Sequence, residues 1–137
     1  MNRLIVIDTN IIVSAAFNSK GHSSHIISSA LAGDLIVALC PTIAREYSAV
    51  LARPEIKRFE LAPTWLNVLI SQAHFMPQDP PRWAFDGRDS SDLIFLDMAA
   101  HVGAMLITGN TKHFPQSAAK HVEVLTPAEY VSMLLSE

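Results

Sequence analysis

Three carboxylates stand where a short chain can aim them at one place: Asp8, Glu46 and Asp92. Carboxylates gathered without enough basic partners repel one another and raise their own pKa values. Divalent cations relieve that repulsion, and Mg²⁺ and Mn²⁺ prefer such oxygen ligands. Two such ions can activate a water and stabilise the leaving oxygen of a phosphodiester. One Cys and scattered His argue against a structural zinc site.

The elements around these residues set their directions. Leu4 to Ile7 is a continuous apolar run, β-branched from Ile5 on, too short for a helix, and reads as a fully buried strand. Asp8 follows it directly and projects at the carboxyl edge of the sheet, where open α/β sheets bind ligands. It is equally placed to cap a helix over Ile11–Phe17, and position alone leaves both roles open. Within a helix from Thr42, the apolar face is Ile43, Tyr47, Val50 and Leu51. Glu46 borders that face and Arg45 points the other way. Either a site or a salt bridge at the helix edge accounts for it. In the helix begun by Asp89-Ser-Ser-Asp92, about 3.6 residues per turn puts Phe95, Leu96 and Ala99 around the direction of Asp92. The same phase sets Asp97 and His101 opposite, with Asp97 solvated. A capping pair of Asp89 or a serine with Asp92 is the other reading.

A second buried strand covers Leu35–Leu39 and stops at Pro41, after which Thr42 is expected as the helix cap. Helices are expected from Ser23 or Ser24 to Leu31 and from Pro63 to Ala73. A break falls at Arg53-Pro54, and a short strand over His74–Met76. Met105–Thr108 and Val122–Leu125 are further strands. Thr126-Pro127 opens the last helix, which runs to Leu135. Strands alternating with helices predict an α/β fold with a mostly parallel sheet and right-handed crossovers.

The length of 137 residues suits one domain over 1–137, and 50% apolar with 17% charged residues predicts a buried core. A net charge of −3 makes no global electrostatic case for nucleic-acid binding, so any such role rests on a local site. Single Cys40 excludes an internal disulfide and fits burial as a small hydrophobe. No run approaches the roughly 20 apolar residues of a membrane span, and a cytoplasmic protein is expected.

Three blocks, VIDTNIIVSA at 6–15, REYSAVL at 45–51, and RDSSDLIFLDMA at 88–99 followed by MLITGNTKHFP at 105–115, resemble the PIN family. Order and spacing match over nearly the whole chain. The nearest group is similar to the toxin components of bacterial toxin–antitoxin systems, the VapC-like ribonucleases. The resemblance implies a three-layer α/β/α fold with the first strand central. It also implies Mg²⁺- or Mn²⁺-dependent RNA hydrolysis, often from a homodimer and often silenced by a cognate antitoxin. Asp8, Glu46 and Asp92 match the core acidic positions. Thr9 and Asn10 match a signature that braces the site, and Thr108 would position a metal-bound water. Asn110 stands where many relatives carry an acid. An amide oxygen can take a metal or a water but adds no charge, which weakens a second ion.

Lys112 and His113 are candidate phosphate contacts, as are Arg45, Arg53 and Lys57, although solvent exposure alone explains each. Trp83, in a proline-rich loop, is a better base-stacking candidate than Trp65, which sits in a helical pattern. An aspartate-nucleophile phosphatase would want a second Asp where Asn10 stands. A receiver domain would want an acidic pair at Ile7-Asp8 and an Asp after Leu39. The remaining alternative is a PIN fold kept as an RNA- or protein-binding module, which only Asn110 favours.

Overall fold

The computed structural model describes residues 3–58, 62–83, 90–114 and 121–136. The side chains of Leu51, Ala62, Pro63, Ser90, Ser91, Asp92 and His113 lie outside the description. The elements run in the order β1 (Leu4–Ile7), α1 (Thr9–Phe17), α2 (His22–Leu31), β2 (Ile36–Leu39), α3 (Pro41–Leu51), α4 (Pro54–Lys57) and α5 (Ala62–Gln72). They continue with β3 (His74–Phe75), α6 (Ser90–Val102), β4 (Met105–Ile107), a 3₁₀ turn (Thr111–His113), β5 (Val124–Leu125) and α7 (Pro127–Leu135).

All strand pairings are parallel and the sheet order is β3-β2-β1-β4-β5. Strand β1 is therefore central, and Ile5, Val6 and Ile7 are each no more than 1% exposed. A run with no polar alternation buries both of its faces, as a central parallel strand must. The edge strand β3 is exposed at both residues.

The chain moves from β1 to β2 and β3 in one direction, then crosses back to β4 on the other side of β1. Right-handed connections put the helices between β1 and β3 on one face and α6 on the other. The packing agrees: α1, α2, α3 and α5 pack on one another, α7 on α2, and α6 on β1, β2 and β4. The result is a three-layer α/β/α fold. The reversal of direction falls between β1 and β4, and a switch point of this kind opens a crevice at the carboxyl ends of its two strands.

Local signals placed most boundaries. Gly103 ends α6 with a positive φ of 69°, the left-handed conformation that a residue without Cβ adopts at no steric cost. Thr126 and Glu129 form a reciprocal capping box at α7, with Pro127 in the first turn. Cys40 is fully buried, and burial pushes its thiol up to about 11, as for an inert small hydrophobe.

The break expected at Arg53-Pro54 is present, since α3 ends at Leu51, and Pro54 then opens the single turn α4. One expectation at α3 is corrected. Thr42 is not the cap of α3, since the helix starts at Pro41 with Cys40 in the cap position and no cap bond from its side chain. Instead the carboxylate of Asp79 receives the Thr42 backbone N–H at 3.0 Å and the Thr42 hydroxyl. An anion there satisfies an orphan donor and complements the helix dipole. These bonds hold the Asp79 carboxyl below its ordinary range. A lowered folded-state pKa means that the bonds stabilise the fold above about pH 4 and that this is lost as pH falls through the lowered value. Circular dichroism should show the parent losing more stability than Asp79→Asn between about pH 5 and about pH 3. Equal losses would mean that the tether contributes nothing.

Candidate active site

Asp8 leaves the end of β1 with its backbone N–H on the Ile107 carbonyl of β4 at 2.9 Å. It occupies the cap position of α1, but its side chain makes no cap bond. Its Oδ2 instead accepts the Thr108 hydroxyl at 2.8 Å, and Asp8 is 6% exposed. That bond spans the carboxyl ends of β1 and β4, the switch point of the sheet. Between the two roles left open by position, the carboxylate serves the crevice and not the helix end.

Thr108 is fully buried, and its oxygen also accepts the Asn110 backbone N–H at 3.1 Å. A hydroxyl that takes one N–H has its own proton left for Asp8, so the loop after β4 fixes the direction of the carboxylate. Across the crevice, the Thr9 hydroxyl donates to Glu46 Oε2 at 3.2 Å. Glu46 is half-buried at the edge of the apolar face of α3, whose Ile43, Tyr47 and Val50 are buried. Adjacent residues Asp8 and Thr9 thus engage β4 on one side and α3 on the other.

Tyr47 supplies the link between the two acids. Its hydroxyl donates to the Ile7 carbonyl, one residue before Asp8. Its pKa is raised well above the usual value, first by burial, then by the charge of Asp8, with Cys40 and Glu46 adding to it. One neutral phenol therefore lies within electrostatic reach of both carboxylates. The sequence marked Tyr47 only as core, because nothing local shows that its hydroxyl reaches back to β1.

The side chain of Asp92 lies outside the described residues, but its backbone belongs to the first turn of α6. Gly103 and Ala104 join the end of α6 directly to the start of β4. A helix that ends at the amino edge of a parallel sheet begins towards its carboxyl edge, the edge that holds Asp8. Helix α6 also packs on α3, which carries Glu46.

The other predicted residues divide. Asn110 is half-buried beside Thr108, whereas Asn10 and Lys112 are exposed, and the His113 side chain lies outside the described residues. Trp83 is 42% exposed. Its ring lies 5.5 Å from that of His121, tilted by 51°, and its backbone N–H donates to Asp97 Oδ1 at 3.0 Å. The second contact ties Trp83 to the middle of α6.

Asp97 is a correction. It was expected in solvent and is 4% exposed. Leu93, one turn before it, and its neighbours Leu96 and Met98 are buried, and the Trp83 backbone lies against its carboxylate, whereas His101, one turn on, is exposed. The apolar Leu93, Leu96 and Met98 beside Asp97 were the signal in the sequence. Asp97→Ala removes the acceptor of the Trp83 N–H, and a loss of about 1–3 kcal/mol is expected, against a smaller one for Asp97→Asn, whose amide oxygen can still accept. Denaturant unfolding measures it, and an Asp97→Ala midpoint equal to that of the parent would show the contact to be idle.

Among the described residues, no three His, Cys, Asp or Glu side chains are grouped as a metal site. The described part of the cluster is Asp8 and Glu46, with Asp92 the third expected member.

No curated protein matches the chain. Among solved structures it is similar to VapBC2 from Rickettsia felis, crystallised bound to a DNA fragment from its promoter. The TM-score is 0.61 at 16% identity, covering 90% of this chain and 98% of the other. Identity at that level speaks for the fold alone. The PIN domain family matches residues 4–112, a span that runs from the start of β1 through Asp8, Glu46, Asp92, Thr108 and Asn110. Over that span the parallel sheet, the switch-point aspartate and the family pattern coincide, and the chain belongs to the PIN domain family.

Proposed function

We propose that the chain is a divalent-metal-dependent endoribonuclease whose site is built from Asp8, Glu46 and Asp92 with Asn110 at its rim. The observation that carries this reading is the pair of hydroxyl-held carboxylates at the β1/β4 switch point, Asp8 on Thr108 and Glu46 on Thr9. The donor set fits Mg²⁺ or Mn²⁺. It is all oxygen, and Asp8 Oδ1, on a residue 6% exposed, accepts no hydrogen bond among the described residues. Bound there, a divalent ion supplies a water of lowered pKa and neutralises phosphate charge.

The chain's own residues do the rest. Thr108 and Thr9 fix the carboxylate directions before anything binds, which limits reorganisation during reaction. Tyr47, buried and neutral, holds the Ile7 carbonyl one residue before Asp8. Lys112, exposed just beyond Asn110, is offered as a contact for a phosphate of the RNA backbone. Trp83 is offered as a stacking contact for a flanking base. We extend the reading to a toxin role with a cognate antitoxin as partner, and to a homodimer working in the cytoplasm. No helix among the described residues is long and apolar enough to cross a membrane.

Cleavage of a mixed RNA pool with and without Mn²⁺ tests the reading, and cutting that persists in chelator would overturn it. Asn110 provides a finer test. Asn110→Asp adds a negative charge beside Thr108, so the Mn²⁺ concentration for half-maximal cleavage should fall several-fold. Metal titrations that overlay would make Asn110 a turn residue only.

A further inference from the structure

Two hydrogen bonds join the segment around Asp8 to α3. The Tyr47 hydroxyl donates to the Ile7 carbonyl. The Thr9 hydroxyl donates to Glu46 Oε2 at 3.2 Å. Ile7 and Thr9 are the two chain neighbours of Asp8, and Glu46 and Tyr47 are adjacent on α3. Each neighbour of Asp8 is thus tied to the turn of helix that carries Glu46.

The tie through Tyr47 is sealed from water. Tyr47 and Ile7 are both fully buried, and Ile43 and Val50, on the same face of α3, are buried with them. The register of β1 with β2 covers Leu4 with Ile36 and Ile5 with Val37. Beyond that register the Ile7 carbonyl takes the Tyr47 hydroxyl as partner. A buried carbonyl deprived of its donor is destabilised, so strand end and helix are held in one relation.

That relation bears on which ion the two carboxylates accept. Mg²⁺ demands near-ideal octahedral geometry at about 2.0–2.1 Å, whereas Ca²⁺ takes its oxygens at about 2.3–2.6 Å in flexible arrangements. Carboxylates of fixed spacing can reject the larger ion, and carboxylates free to move apart cannot.

We propose that Tyr47 is a positioning residue that sets the ion selectivity of the site: by tying the end of β1 to α3, it fixes the spacing of Asp8 and Glu46 for a small divalent ion and against Ca²⁺. The inference rests on the metal-site reading above and goes beyond it, since it assigns selectivity to a side chain that touches no ion. A Tyr47 that served the core alone would support stability and leave selectivity untouched.

Tyr47→Phe removes the hydroxyl and keeps the ring. Mn²⁺ binding to metal-free protein is read from the electron paramagnetic resonance of the free ion, with Ca²⁺ added as competitor. Mn²⁺ affinity should fall about tenfold, the lower end of what losing a group that supports a metal ligand costs, because this support runs through the backbone. Ca²⁺ affinity should fall much less, since its geometry is flexible, so the ratio of the two affinities drops several-fold. Thr9→Val removes the hydroxyl of the other tie and should lower the same ratio, which keeps the inference testable should Tyr47→Phe not fold. Unchanged Mn²⁺ affinity in a folded Tyr47→Phe, or equal losses for the two ions, would overturn the inference. So would a Thr9→Val with the ratio of the parent. A parent that binds neither ion would overturn the site reading itself and this inference with it. Binding is measured without RNA, so none of these outcomes depends on cleavage.

Discussion

Replacing Asp8 by Asn should yield a folded protein that no longer cuts RNA. The amide oxygen can still accept the Thr108 hydroxyl that Oδ2 accepts at 2.8 Å, so the link between β1 and β4 survives. What is lost is a negative charge and a strong metal ligand at the switch point. Changes to groups that merely support a metal ligand cost about 10- to 100-fold, and loss of the ligand itself should exceed about 100-fold. Removing one of several like charges from a metal-free site should leave stability unchanged or slightly raised. Asp92→Asn should behave in the same way, since the first turn of α6 begins towards the same edge. Circular dichroism with a nuclease assay decides both. Substantial residual cleavage by a clean Asp92→Asn preparation would remove that residue from the site. A folded, fully active Asp8→Asn would remove the site itself.

The second large effect is on stability. If the carboxylates form a cation site only in the folded chain, divalent metal stabilises that chain by mass action. At a free concentration about 100 times the dissociation constant this amounts to roughly 2.7 kcal/mol. At about 4 °C per kcal/mol for a domain of this size, the melting point should rise by on the order of 10 °C. Ca²⁺ should give less if the site is rigid and sized for Mg²⁺ or Mn²⁺. The rise should vanish in Asp8→Asn/Asp92→Asn, whose metal-free melting point should be no lower than the parent's. Monovalent salt should reproduce little of it, because screening weakens repulsion but supplies no ligands. A parent melting point that ignores millimolar Mn²⁺ in the absence of chelator would favour a PIN fold kept as a binding module.

Sequence by itself determined the features that are decided within a few residues. The apolar run Leu4–Ile7, β-branched from Ile5 on, reads as a buried strand, and it is the central one. Thr126 and Pro127 specify a helix start, and the structure adds Glu129 to complete a capping box there. The spacing of Ile43, Tyr47 and Val50 placed Glu46 at the rim of a buried face, where it lies half-buried. Such signals are legible because side chain and backbone compete over one helical turn or one strand pleat.

Tertiary structure alone decided which of two compatible partners each polar group takes. Asp8 could cap α1 or face the crevice, and a hydroxyl 100 residues away draws it into the crevice. Thr42 could cap α3, but Asp79, 37 residues further on, does that work. Periodicity gave Asp97 a solvent face, and the packing of α6 with the Trp83 backbone against its carboxylate left it buried. Each partner arrives through strand register and crossover direction, which depend on the whole chain and are not written in the residues nearby.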